Sequence, residues 1–258
     1  YKEDFFSGTS AAANGGVTLT VDMPNNKPVT MDLESLKERM RIAGEKVVVN
    51  VGFYCAFPRA VEEIPWTVED GGSLAFKLFM SQQIGGIDPL DEQTLGRALT
   101  EAARVGVTVA VHAEDARLLS ERRMNLRGNG GIEAYLKVHS SEVEVDSVNH
   151  VLRLSRNSGV QIHFCHISSA ESMSAIAGAR KAGLSATTEV TPHHLLISSN
   201  DLKRIGPIAL ADPPSRSQLD IDELWMYLSR GMIDVMASDH APHTIEEKKE
   251  KSVWLVKT

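Results

Sequence analysis

Apolar positions along this chain change period from one stretch to the next. Val17 to Met23 (VTLTVDM), Val47 to Tyr54 (VVVNVGFY), Leu74 to Met80 (LAFKLFM), Val107 to Val111, Gln161 to Ile167 (QIHFCHI), Leu184 to Val190 and Ile233 to Ser238 are short apolar runs rich in β-branched or aromatic residues. Such runs predict strands, and the last reads as a buried one. Between them the apolar residues recur at three and four positions. That predicts helices over Asp4–Asn14, Met31–Ala43, Asp91–Val105, Val143–Asn157, Ser169–Lys181 and Leu219–Arg230. Ala11, Ala12 and Ala13 are expected on the packed side of the first helix, and Leu33, Leu36 and Met40 on one face of the second. Gly15, Gly106, Gly183 and Gly231 stand where helices should end. Trp66 to Gly72 carries loop signals, and Thr244 onward reads as helical.

Seven strands alternating with helices imply βαβ units and a parallel sheet. Seven such units, opening in mid-pattern at Tyr1 and stopping after Ser252 to Thr258 without a closing element, predict an α/β fold. The expected form is a (β/α)8 TIM-type barrel, one domain over 1–258 that is incomplete at both ends. A doubly wound open sheet would carry a Gly-rich turn after an early strand. Here Asn14-Gly15-Gly16 precedes a strand instead. Ala116 to His139 breaks the rhythm. Arg122, Arg123 and Arg127 with Asn129-Gly130-Gly131 predict a basic, mobile excursion, of a length used for lids and for plain surface insertions alike.

Composition narrows the function classes. The net charge of −7 gives no footing for nucleic acid or an anionic membrane surface. No apolar run approaches the roughly 18 residues of a membrane span. The two cysteines, Cys55 and Cys165, lie in strand-like runs and are expected as buried thiols in a cytoplasmic protein rather than as a disulfide.

Polar residues at the strand ends carry the candidate chemistry. Ile233-Asp-Val-Met-Ala-Ser runs into Asp239, His240, a Pro-containing turn and His243. Alone, that stretch serves equally well as a polar turn. His112 also ends its strand, with Glu114 and Asp115 after it. In QIHFCHI, His163 and His166 are an odd number of residues apart and so face opposite ways. His166 stands last, beside Ser168-Ser169, and is expected to look inward. His163 is expected to pack against a helix as a satisfied core histidine. Two imidazoles and a carboxylate at the ends of different parallel strands form the ligand set for zinc or a similar divalent ion. Lys77 lies inside LAFKLFM, on one face with Ala75 and Phe79. Burying an ammonium is costly. Its stem can pack while its head reaches the rim. Alternatively its pKa is depressed, for use as an amine or after capture of carbon dioxide as a carbamate.

Asp22-Met-Pro-Asn-Asn, Val111-His-Ala-Glu-Asp, Cys165-His-Ile-Ser-Ser, Thr191-Pro-His-His-Leu and Ser238-Asp-His-Ala-Pro-His-Thr resemble segments of the cyclic amidohydrolases, and among those the dihydroorotases. The resemblance runs over essentially the whole chain. It implies a carboxylated Lys77 bridging two zinc ions, with His112 and His166 ligating one of them. It implies Asp239 as both ligand and general base, and Asn25 and His243 as contacts to a substrate carboxylate. The family's His-x-His-x-Arg motif has its place just before Tyr1 and is absent from these residues. The usual Asn-Pro-Pro-Leu-Arg is here Asp212-Pro-Pro-Ser-Arg216, which sets a charge near the substrate if Asp212 takes the asparagine's place. Many bacterial relatives carry aspartate where Lys77 stands, and the Gly-x-Pro-Gly segment after the last strand is missing. The implied reaction is reversible hydrolysis of dihydroorotate to carbamoyl aspartate in pyrimidine synthesis. The alternatives are allantoinase or hydantoinase chemistry, and a metal-free scaffold subunit. The intact Lys77, His112, His166 and Asp239 speak against the scaffold. The implied partners are a small-molecule substrate, further copies of the chain and an aspartate transcarbamoylase.

Overall fold

A computed structural model describes residues 2–126, 130–249 and 252–256. The chain divides into two compact units, the first formed by 1–111 with 154–162 and the second by 112–153 with 163–258. Hydrogen-bonded strand order follows chain order from the first strand to the seventh. The registered pairs are parallel. Helices separate the strands, as the alternating periods require.

In the first unit the order is α1 (Phe5–Asn14), β1 (Leu19–Asp22), α2 (Leu33–Gly44), β2 (Asn50–Ala56), α3 (Ile64–Glu69), β3 (Ala75–Phe79), α4 (Glu92–Arg104) and β4 (Thr108–His112). Asp4, Asp32 and Asp91 cap α1, α2 and α4 by accepting backbone N–H groups at the third helical position. Such a cap satisfies a donor that the helix itself leaves open. Gly106 at φ 70° turns the chain from α4 into β4. Leu36, Ile64, Phe76, Leu95 and Leu99 are fully buried, and Phe57 stacks on Phe76 at 4.8 Å. Two expected helix faces differ. Ala11 and Ala13 are exposed, and the buried position of α1 is Thr9, whose hydroxyl accepts from the Val48 N–H at 2.9 Å. Met40 is 39% exposed, and Ala43 packs in its stead. The loop expected at Trp66–Gly72 is largely helix. Pro65 suits a first turn, and Ile64 and Thr67 are wholly buried, so burial outweighs the loop signals.

The second unit holds α5 (Ala116–Met124), α6 (Gly131–Val138), most of α7 (Ser141–Ser158), most of β5 (Ile162–Phe164), α8 (Ala170–Lys181), β6 (Ala186–Val190), α9 (Pro192–Leu196), α10 (Ser199–Ile205), α11 (Gln218–Ser229), β7 (Val235–Met236) and α12 (Ile245–Lys248). The expected excursion over 116–139 is two helices. Arg122 donates to Lys137 O at 3.1 Å and to Ser140 Oγ at 2.6 Å, and Arg123 lies 3.7 Å over the Trp254 ring. Both arginines are engaged by side chains or backbone of the same unit. Arg127 and Asn129 lie outside the described residues, as do Tyr1 and Thr258. A cluster of Tyr135, Leu202, Leu210, Val253 and Val256 joins α6 and α10 to the segment 252–256. The last strand is shorter than expected and not buried. Val235 is 43% exposed and Met236 52%, because among the described residues β7 pairs only with β6 and stands last in the strand order. Thr244 caps α12.

Candidate metal centre

Two of the sequence-chosen residues, His112 and His166, stand at or just past the ends of β4 and β5. β4 runs through buried Val109, Ala110 and Val111, and delivers His112 at 6% exposure. β5 is followed by His166, 4% exposed, with φ 37°. Non-glycine residues avoid that left-handed region unless their surroundings fix them, and they concentrate at working sites. Two contacts fix His166. Its N–H donates to Glu189 Oε1 at 3.1 Å, and the Ile167 N–H donates to Glu189 O at 3.0 Å. The outcome is a close pair, with His112 Nδ1 and His166 Nε2 3.2 Å apart and the rings edge to face.

Glu114 lies beside His112 at 1% exposure. Its Oε2 is 3.0 Å from His112 Nε2, and its Oε1 accepts from His139 Nδ1 at 2.9 Å. Burial alone pushes the Glu114 pKa up. The hydrogen bonds from His112 and His139 outweigh it and hold the carboxyl below its ordinary range. Burial likewise pushes His139 down, but the Glu114 carboxylate reverses the sign and raises it. Asp212 Oδ1 is 3.4 Å from His139 Nδ1 and accepts the Tyr135 hydroxyl proton. The Tyr135 ring stacks on His139 at 4.3 Å. Asp212 therefore engages side chains of its own unit.

Behind the His166 turn lies a buried ionic network. Glu144 on α7 accepts from Ser168 N (3.2 Å), Ser169 N (3.0 Å), Ser169 Oγ (2.8 Å) and the Ser168 hydroxyl. Arg216 Nη2 stands 3.6 Å from Glu144, its Nε donates to Ser168 Oγ at 2.9 Å, and its Nη1 donates to the His139 carbonyl. One carboxylate thus caps the turn that carries His166 and meets the arginine that carries His139.

Thr191-Pro-His-His forms α9. His194 is 2% exposed, donates from Nε2 to Pro213 O at 2.9 Å and pairs through Nδ1 with Thr191 Oγ1 at 2.9 Å. Burial pushes its pKa down to about 3. His193 is also lowered by burial, and the charge of Asp239 partly opposes this. Asp239 itself is exposed, with φ 49°. His243 Nδ1 lies 3.5 Å from Glu247, one turn into α12.

Lys77 and Asn25 lie in the first unit. Lys77 is 3% exposed within β3, its ammonium 5.2 Å from the Phe79 ring centre. The buried-lysine expectation holds. Asn25 is exposed just after β1, while Asn26 beside it is engaged by Asp22, Met23 and Thr30. Both cysteines are buried and neither forms a disulfide, and burial pushes the Cys55 thiol up to about 11. His163 is satisfied as expected, but by Thr187 (2.9 Å) and Glu189 (3.1 Å) of β6 rather than by a helix.

Two groups of ligand-type side chains were not foreseen as groups: Glu114, His139 and Asp212, and His163, Cys165 and Glu189. Each brings its ligand atoms within 4.8 Å of one another. Glu114 had a sequence signal, two places after His112. Arg216 stood in the Asp212-Pro-Pro-Ser-Arg216 segment, while His139, Tyr135 and Glu144 had no signal beyond a single polar letter in a helix or loop.

No family model matches the chain. A dihydroorotase of Methanosarcina mazei is 33% identical over 256 residues, 96% of this chain and 55% of that protein. An allantoinase of Bacillus velezensis is 33% identical over 259 residues, 98% of this chain and 57% of its own length. The solved L-hydantoinase (dihydropyrimidinase) of Arthrobacter aurescens superposes with a TM-score of 0.91 at 29% identity, covering 98% of this chain and 57% of that one. The chain spans just over half the length of these relatives. No helix among the described residues is long and apolar enough to cross a membrane.

Proposed function

We infer that the chain belongs to the cyclic amidohydrolases and carries part of a metal centre that hydrolyses a cyclic amide. The observation that carries this is the approach of His112 Nδ1 to His166 Nε2 at 3.2 Å. Two imidazole nitrogens bound to one tetrahedral zinc, each at about 2.0–2.1 Å, stand about 3.3 Å apart. The pair is buried, and His112 meets a carboxylate through its other nitrogen, as metal-bound histidines commonly do. The residues fit a divalent ion. His112, His166, Asp239 and a carboxylated Lys77 are the proposed ligands, with zinc the ion the donor set favours. The seven parallel strands are read as part of a (β/α)8 barrel.

A divalent ion there supplies a Lewis acid that polarises a carbonyl and brings a water's pKa toward neutrality. Asp239 takes the proton as the water adds to the ring carbonyl carbon. It returns that proton to the ring nitrogen as the C–N bond breaks, leaving a free amide and a carboxylic acid that gives up its own proton to solvent. Asn25 and His243 are the proposed contacts to a substrate carboxylate, which they would hold in place through the reaction. Exposure of Asn25 and Asp239 suits groups that meet a ligand.

Among the cyclic amides we favour dihydroorotate, because Thr191-Pro-His-His and Asp239-His-Ala-Pro-His-Thr resemble dihydroorotases. The equal identity to an allantoinase makes that the second reading. Turnover of dihydroorotate, allantoin, hydantoin and dihydrouracil by the zinc-loaded protein tests the choice. Dihydroorotate should be preferred by at least tenfold in kcat/KM. Preference for allantoin reverses the choice, and no turnover of any of the four by a zinc-loaded protein removes the hydrolase reading.

A further inference from the structure

In the proposed metal centre His112 ligates through Nδ1, and the role of Glu114 rests on that assignment. A neutral imidazole carries its proton on one nitrogen only, and the hydrogen bond at one nitrogen decides which. Left alone, the ring is free to hold that proton on Nδ1, where it would block the ion.

We propose that Glu114, braced by His139, is the positioning residue that keeps the His112 proton on Nε2 and leaves the Nδ1 lone pair aimed at His166 Nε2. The carboxylate has two oxygens and uses them separately. Oε2 faces His112 Nε2 at 3.0 Å, and Oε1 accepts from His139 Nδ1 at 2.9 Å. At 1% exposure it has little access to water, so these two rings hold it. His139 is in turn held from three sides. Tyr135 stacks on its ring at 4.3 Å, Asp212 lies 3.4 Å from Nδ1, and Arg216 donates to its carbonyl. His112, Glu114 and His139 come from β4, the turn after it and the end of α6, so one carboxylate ties the ligand's tautomer to the packing of a separate helix. Glu114 contacts neither substrate nor ion in this arrangement, and acts through His112.

The chemistry of the amide makes Glu114→Gln a sharp probe. A glutamine offers one acceptor and two donors where two N–H groups point in. One of the two hydrogen bonds must be lost, with little change in volume. The experiment uses the metal-free chain and zinc itself. Long-range 15N–1H spectra read the His112 tautomer, identified by its loss in His112→Ala. Competition with a chromophoric chelator reads zinc affinity. The wild type should show the Nε2–H form. Glu114→Gln should populate the Nδ1–H form and bind zinc about 10–100-fold more weakly, the range found when such a supporting partner is removed. His139→Asn should shift both in the same direction by less.

An Nδ1–H tautomer in the wild type overturns the proposal without any variant, so misfolding of Glu114→Gln cannot shield it. Unchanged tautomer and affinity in a folded Glu114→Gln, with binding lost in His112→Ala, overturns the proposal but leaves the metal-centre reading standing. Unchanged zinc affinity in His112→Ala overturns the metal-centre reading itself, and this proposal with it.

Discussion

Lowering the pH below neutrality should destabilise the fold through His194, and the size of the effect follows from its surroundings. The ring is 2% exposed, with Nε2 donating to Pro213 O and Nδ1 paired with the Thr191 hydroxyl. Both nitrogens are satisfied in the neutral state, and a second ring proton would have only the Thr191 oxygen to meet. Burial, aided by His193 and Arg216, holds the pKa near about 3. In the unfolded chain the same group titrates near about 6.5. Above that value both states are neutral and His194 adds no pH dependence. Below it the unfolded chain takes up a proton that the folded chain refuses until about pH 3. Stability therefore falls with decreasing pH across that window, by about 1.4 kcal/mol per unit at its steepest. Between pH 7.0 and 5.5 the change attributable to His194 is about 1.2 kcal/mol. Urea unfolding followed by tryptophan fluorescence at the two pH values measures it, with His194→Gln as the reference. That amide can donate to Pro213 O and accept from Thr191, and it does not titrate. His193 and the carboxylates titrate in both proteins and cancel in the difference. The wild type should lose about 1.2 kcal/mol more than the variant over this interval. Parallel losses would show that the folded state accommodates an imidazolium at 194, and the burial argument would fail.

Glu144→Ala should cost roughly 3–5 kcal/mol in the same unfolding assay, because it strands the buried Arg216 guanidinium and four donors of the 168–169 turn; a loss below about 1 kcal/mol would mean that water reaches the site. Asp239→Asn should lower turnover by about 100-fold or more while retaining part of the bound zinc, and near-normal turnover with full metal would pass the proton role to another group. Lys77→Ala should bind less zinc, with partial recovery when short carboxylic acids are added, and unchanged metal content and activity would remove Lys77 from the site. Gly86→Ala should destabilise the first unit, since a Cβ there would meet the Arg59 backbone nitrogen at 2.2 Å, and a wild-type unfolding midpoint would show that the 58–59 backbone yields.

Hydrophobic period marked the seven strands and the long helices between them, because burying one face of an element imprints its repeat on the sequence. It also marked His112, His166, Asp239 and Lys77, since a polar residue at the end of an apolar run, or a lysine within one, departs from that repeat. Strand alternation set His163 and His166 on opposite faces, the place of His166 at the end of its run favoured it, and the structure pairs His166 with His112. Period said little where burial is decided by distant partners. The helix at Ile64–Glu69, the pair of helices within 116–139 and the exposure of Val235 and Met236 depend on what each segment packs against. Glu114, Asp212 and Arg216 stood in marked segments, but that they support the centre together with His139, Tyr135 and Glu144 did not show, for the same reason. Glu114 and Asp212, with Tyr135 and His139 between them, stand 98 positions apart in sequence, and Glu144 and Arg216 stand 72 apart. Each is an ordinary polar residue on its own, and only the folded chain brings these carboxylates, rings and guanidinium within hydrogen-bonding distance where water is excluded and their charges can set which nitrogen holds a proton.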